Sequence, residues 1–208
     1  MTRPERPVPP RPGLGAGRAR LSEILRVDHA GELAAVHIYR GQQAVFAAAP
    51  GKDAVRSETR EMGEQEQAHL AGFEALLAEH GTRPSLLSPL WRTAGFALGA
   101  ATALIGERAA HACTEAVETV IEEHYAGQID ELAEHEPDLA GRLQGYRADE
   151  LAHRDRAIEG GAREAPGYPL LSALIRAGCR AAIKVAMAAT SSFMDSTLRP
   201  MVRAPGSL

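Results

Sequence analysis

The sequence predicts an all-α protein: a four-helix bundle with an apolar crossover segment and an additional amphipathic helix on its C-terminal side. Three observations carry this. Apolar residues make up 45% of the 208 but aromatics only 4%, so the core must be built from Ala, Leu, Val and Ile, which suits close-packed helices better than a sheet. Helical apolar periodicity recurs in long segments separated by Gly and Pro. A motif also occurs twice: Glu32 is followed by the pair Glu66 and His69, and Glu118 by the pair Glu150 and His153.

From lone Glu to paired Glu is 34 residues in the first half and 32 in the second. A helix turns about 100° per residue, so a Glu and a His three apart share a face and can grip one metal ion. With 8 His in 208 residues and 20 Glu, one Glu-x-x-His is expected by chance, so the bare pair is a weak signal. Its repetition is not. One Glu from each of two helices and Glu-x-x-His from each of the other two is the ligand arrangement of ferritin-like di-iron and di-manganese bundles. Four carboxylates facing one another in a core would be costly without a partner, and two divalent cations balance them.

Residues 1–19, with five prolines and three glycines, are expected to form a disordered arm. The first helix is expected over about 20–48, with Asp28 and His29 on the face of Glu32 as groups that orient ligands and His37 off it. The second spans about 53–80. In it Glu58, Glu61 and Glu64 compete with Glu66, but only Glu66 has a His three residues on, and Met62 stands one turn earlier. Residues 86–106 carry one charge, Arg92. Pro89, Arg92 and the Gly and Ala content argue against a membrane-spanning helix. The segment is read either as a buried crossover or as an apolar surface resting on a bilayer, with Trp91 and Arg92 near the headgroups.

The third bundle helix, about 107–136, carries Glu115, Glu118 and Glu122 in one stripe. Periodicity does not choose among them, and the repeat favours Glu118. Tyr125 returns to its face and His124 is rotated away. In the fourth, about 138–160, Tyr146 occupies the place of Met62, and Asp149 and Asp155 flank the site as hydrogen-bond partners for a ligating His. The last helix, about 168–187, sets Arg176, Arg180 and Lys184 along one face. That suits either an anionic membrane surface or ordinary solvation. Residues 188–208 form a polar tail of unknown role.

Net charge is −4, with +4 in residues 1–20 and −8 in the rest, which argues against nucleic acid as a partner. Cys113 and Cys179 match no metal or redox spacing and are expected to be reduced thiols. The N-terminus lacks the apolar core of a secretory signal, so export is not expected.

Taken together, RVDHAGE, EQEQAHL, PLWRTAGFALGAATALIG, AVETVIEEHY, ADELAHRD and AGCRAAI closely resemble the demethoxyubiquinone hydroxylase family of ubiquinone biosynthesis, over residues 19–185. The resemblance implies a peripheral di-iron monooxygenase on the cytoplasmic face of the inner cell membrane. It would hydroxylate the ring of a polyprenyl demethoxyquinol with O2 and two electrons. The family's ligands fall on Glu32, Glu66, His69, Glu118, Glu150 and His153, and its His-Tyr, tied to substrate handling or electron delivery, on His124 and Tyr125. The cofactors implied are two iron ions per chain and an external reductant such as NADH. The partners implied are the quinol, the membrane, a lipid-binding protein of the same pathway and a second copy of the chain. The tail departs from the pattern, continuing through MAATSSFMDSTLRP. No Gly-rich dinucleotide fingerprint is present.

Carboxylate ligands suit iron that cycles between two charges, although manganese accepts the same set. Two other classes remain open. A ferroxidase or iron-storage protein would share the six ligands without needing the apolar crossover. A prenyl-lipid-binding module would need the crossover and not the ligands.

Overall fold

In the computed structural model the backbone is described for residues 14–198 and side chains for residues 17–189. Six α-helices follow in order: α1 Leu14–Ala47, α2 Asp53–Glu79, α3 Ser88–Ile105, α4 Glu107–Leu132, α5 Pro137–Glu159 and α6 Tyr168–Leu198, with a short 3-10 turn at Ala162–Glu164 before α6. The protein is an all-α, ferritin-like bundle. Helices α1 and α2 form one antiparallel pair and α4 and α5 the other, and α3 crosses between them.

Two boundaries differ from expectation. Helix α1 begins at Leu14 and so takes in residues 14–19 of the expected arm. The last proline of that arm is Pro12, and beyond it nothing removes a backbone donor. Helix α6 continues past 187 to Leu198, because neither Gly nor Pro occurs between Gly178 and Pro200. The rest of both expectations, the arm before residue 14 and the tail after 198, lies outside the described residues.

Breakers set the remaining ends. Pro89 and Pro137 stand in the first turns of α3 and α5, where a missing N–H costs nothing. Gly106 alone separates α3 from α4, at φ 140°, a conformation that side chains rarely adopt. One end of the bundle is closed by an apolar cluster from all four helices, including Leu25, Phe73, Tyr125 and Leu143.

Helix α3 lies on α1 with backbones almost touching. Cβ atoms at Gly95 and Gly99 would overlap the carbonyls of Ala34 and Ile38. The stripe Trp91, Gly95, Gly99 and Thr102 is therefore buried, while Leu90, Phe96, Leu104 and Ile105 are exposed. The crossover is thus both a packed helix and an apolar surface. Because backbone carbonyls cannot yield as a flexible side chain can, Gly99→Ala should destabilise by about 3 kcal/mol or more. Gly127→Ala, on an exposed stretch of α4 with open space around it, should stabilise by roughly 0.5–1 kcal/mol. Thermal unfolding of the two variants checks this opposite pair of signs.

Candidate metal centre

Glu32 projects from α1, Glu66 and His69 from α2, Glu118 from α4, and Glu150 and His153 from α5. All six are buried, none more than 3% exposed. They form two overlapping groups, Glu32, Glu66, His69 and Glu150, and Glu66, Glu118, Glu150 and His153. Within each group the candidate ligand atoms lie within 4.8 Å of one another. Glu66 and Glu150 belong to both. The three-residue spacing accounts for the shared face, and the two helix pairs bring the faces together.

The donor set fits two cations. Glu32 Oε2, Glu118 Oε2, both oxygens of Glu66 and of Glu150, and Nδ1 of His69 and His153 are buried without hydrogen-bond partners. Buried polar atoms are ordinarily satisfied, so eight such atoms converging on one core are compatible with metal binding.

The protons of this cluster follow its charges. Burial pushes the Glu32 and Glu118 carboxyls well above the usual range, and neighbouring carboxylates add to it. Burial would also raise Glu66, but the His153 and His69 imidazoles facing it outweigh that and bring it down to about 2. Burial alone would lower the imidazoles. Glu150, Glu32 and Glu66 reverse that for His69, and Glu150 and Glu66 bring His153 up to about 9. The two raised imidazoles hold protons at neutral pH, and a cation must displace them. Metal affinity should therefore rise with pH through the neutral range to about 9, where the proton on His153 ceases to compete, while that on His69 still does. Metal binding at pH 7 should release more than one proton per chain, measurable by calorimetry in buffers of different ionisation enthalpy. Affinity independent of pH between 6 and 9 would contradict this.

Around the six, a second layer repeats with the same symmetry. The Tyr125 hydroxyl donates to Glu32 Oε1, and the Tyr39 hydroxyl donates to Glu118 Oε1 at 2.8 Å. Burial and these carboxylates raise both phenols well above their usual range, so both remain donors. Sequence reasoning missed the pairing of Tyr39, though a signal existed: it stands seven residues after Glu32, as Tyr125 does after Glu118. His69 Nε2 lies 3.1 Å from Asp149 Oδ2, as expected. His153 Nε2 lies 2.7 Å from Gln65 Oε1, which was not foreseen. Tyr146 packs on the His69 ring at 4.4 Å, and Met62 lies 3.8 Å from the Tyr39 hydroxyl.

Other outer partners differ from expectation. Asp155 pairs with Arg154 and not with a ligating His. Asp28 accepts from Gln128 at 2.8 Å and lies 3.2 Å from His124, so it orients no ligand candidate. His29 is buried with Nδ1 unpartnered and belongs to neither group. The stripe on α4 divides cleanly. Glu118 points inward, Glu122 meets Arg147 at 2.9 Å, and Glu115 meets Arg176 at 2.5 Å and Ser172 at 3.4 Å.

A family model described as "Ubiquinone biosynthesis protein COQ7" matches residues 19–186. The chain belongs to this family. It is 48% identical over 174 residues to a Rhodospirillum rubrum protein named 3-demethoxyubiquinol 3-hydroxylase, covering 84% of this chain and 81% of that one. A rat protein named NADPH-dependent 3-demethoxyubiquinone 3-hydroxylase, mitochondrial, is 46% identical over 170 residues, 80% of this chain and 76% of that one. A yeast protein named 5-demethoxyubiquinone hydroxylase, mitochondrial, is 40% identical over 183 residues, 81% and 78% respectively.

Of the two residues that the family resemblance picked out on α4, Tyr125 sits at the centre on Glu32, while His124 turns outward, its side chain 23% exposed. The basic face of α6 is not the free surface expected. Arg176 is tied to Glu115, and Arg180 to Glu123 at 2.9 Å. Arg180 and Lys184 are exposed, and Arg176 alone of the three is half-buried. Trp91, placed near headgroups by one of the two readings of this segment, is buried against Val27, Ala30 and Ala186, as the buried-crossover reading has it, because α3 docks too closely on α1 to leave its ring outside. Arg92 is exposed.

Between α1, α3, α4 and α6 lies an apolar cavity of about 90 Å³, lined by residues such as Val27, Ala34, Trp91, Val117, Ile121 and Ile183. Its α1 and α4 walls are the outward sides of the turns that carry Glu32 and Glu118. Cys179 lines it too. Burial raises the thiols of Cys113 and Cys179, to about 12 and about 11, so both stay protonated and weakly reactive. Among the described residues no helix is long and apolar enough to cross a membrane.

Proposed function

We propose that this chain is a 3-demethoxyubiquinol 3-hydroxylase acting on a polyprenyl demethoxyquinol in ubiquinone biosynthesis. One oxygen atom of O2 enters the ring as a hydroxyl group, and the other leaves as water with two electrons and two protons. The observation that carries the reading is the pair of overlapping, buried ligand groups, in a chain 48% identical to a protein of that name. Glu32, Glu66, His69 and Glu150 would hold one iron ion and Glu66, Glu118, Glu150 and His153 the other. Iron held there supplies the electron transfer that activates O2.

The rest of the work falls to the chain. Tyr39 and Tyr125 hold the two lone carboxylates in place by hydrogen bonds across the bundle. The Leu25, Phe73 and Leu143 plug keeps bulk water from one end, which strengthens every charge interaction inside. The apolar cavity suits part of the quinol's polyprenyl tail. His124, partly exposed and next to Tyr125, offers a way in for electrons or a handle on substrate. The reductant in the rat relative's name is NADPH, not the NADH expected from the resemblance, and NADPH is the donor proposed.

A polyprenyl quinol is too apolar to travel through water, so the chain is proposed to work as a peripheral protein at the cytoplasmic face of the cell membrane. Leu90, Phe96 and Leu104 on α3 and Leu170, Leu174 and Val185 on α6 are exposed on the two helices that flank the cavity. They, rather than the basic face of α6, would meet the bilayer.

The experiment is to incubate iron-loaded protein with a demethoxyquinol, O2 and NADPH and follow the product by mass spectrometry. One added oxygen is expected. Iron oxidation without quinol product would overturn the reading in favour of a ferroxidase. In a second arm, Leu90→Glu with Leu174→Glu should weaken liposome binding by about tenfold or more and slow a long-tailed substrate. A short-tailed, water-soluble analogue should be turned over within about twofold of the unmodified rate.

A further inference from the structure

The two halves of the centre match in their inner atoms and differ in what touches the outside of each imidazole. Each group contains three carboxylates and one His. In both, Nδ1 faces the carboxylates, His69 at 3.2 Å from Glu150 and His153 at 2.9 Å from Glu66, and Nε2 faces outward. The outward partners come from equivalent places in the repeat, since Gln65 immediately precedes Glu66 and Asp149 immediately precedes Glu150. Each reaches across to the imidazole of the other half. The partner of His153 is a carboxamide oxygen at 2.7 Å, and that of His69 a carboxylate oxygen at 3.1 Å.

An imidazole that binds a cation through Nδ1 carries its one proton on Nε2, so both outer partners must accept. Gln65 can do so only with Oε1, the atom that faces His153. A carboxylate accepting that proton draws it more strongly than a neutral amide does, and leaves more electron density on Nδ1. The two arrangements correspond in which ring nitrogen faces which partner, and they differ in the partner's charge and by a few tenths of an ångström in distance. We propose that the Asp149 carboxylate makes the His69 position the tighter of the two iron positions, and that Gln65 leaves the His153 position the weaker. This rests on the reading of the six residues as a two-metal centre.

Partners of this kind change metal affinity by roughly 10–100-fold. The Asp149 side chain is 49% exposed, and solvent screens it, so the lower end of that range applies, about tenfold. Two-step binding alone would not separate this from plain repulsion between two cations. The variants do. Both are close to isosteric with the residues they replace.

The test is a titration of the metal-free, full-length protein with Co(II), read by its visible absorption, with no turnover involved. The unmodified protein should take up two equivalents in two steps. Asp149→Asn should weaken the tighter step about tenfold, so that the steps merge, with helix content unchanged. Gln65→Glu should tighten the weaker step about tenfold, a gain that a merely structural role cannot produce. Two equivalents bound with both steps unaltered in both variants would overturn the inequality while leaving the two-metal reading intact. Failure of the unmodified protein to bind cobalt would remove that reading, and the inequality with it.

Discussion

Glu66→Ala and Glu150→Ala should each cost the protein both iron ions, whereas Glu32→Ala and Glu118→Ala should each cost one first. Glu66 and Glu150 are the members common to the two ligand groups, so removing either opens both positions. Changes to groups that merely touch a ligand cost roughly 10–100-fold in affinity or activity. Loss of a shared ligand should exceed that, and turnover is expected to fall by at least ~10³-fold. Helix content should stay close to the unmodified value, because the bundle is also held by apolar packing distant from the centre, such as Phe46 against Val55 and Ala103. Iron analysis with circular dichroism checks the pattern. Two irons retained in either shared-ligand variant would remove it.

Two glutamates one helical turn apart on α4 should fail in opposite ways. Glu118→Gln should lose metal and activity but little stability, since the amide oxygen can still accept from Tyr39, the partner at 2.8 Å. Glu115→Gln should keep its metal and lose stability. Glu115 is 3% exposed and holds Arg176 at 2.5 Å and Ser172 at 3.4 Å, so neutralising it leaves a half-buried guanidinium without its charge partner. With Arg176 about 30% exposed, the cost should be about 1–3 kcal/mol. For a chain of this size that is a fall in melting temperature of roughly 3–10 °C. The pair also tests the register of α4. If Glu115→Gln removed metal and Glu118→Gln did not, the inward face of the helix would have been assigned one turn out.

The same contacts bear on how α6 is held. Arg176 to Glu115 and Arg180 to Glu123 fasten it to α4 beside the cavity. Charge reversal at these positions would therefore disturb packing as well as any membrane contact, which is why the exposed leucines are the better probe of a bilayer surface.

Much of this protein follows from local spacing. A three-residue interval puts Glu66 with His69, and Glu150 with His153, on one face of a helix, and near-equal repeat lengths place the lone glutamates Glu32 and Glu118 in step with them. Helix ends follow from Pro89, Pro137 and Gly106. These features depend on the chain's own dihedral angles, which a sequence carries directly. The same symmetry contained the Tyr39 contact, seven residues after Glu32, and the Gln65 contact, one before Glu66. Repetition tells which positions correspond, but not what stands opposite them. That was decided by packing between helices. The close approach of α3 to α1 at Gly95 and Gly99 buries Trp91 and leaves Leu90 and Leu104 outside. The docking of α6 on α4 turns Arg176 and Arg180 from a free basic face into ion-pair partners. The approach of α2 to α5 across the core gives His69 a carboxylate and His153 an amide. Spacing along one helix defines a face, and only the position of the next helix, set by volume and contact over the whole core, decides what that face meets.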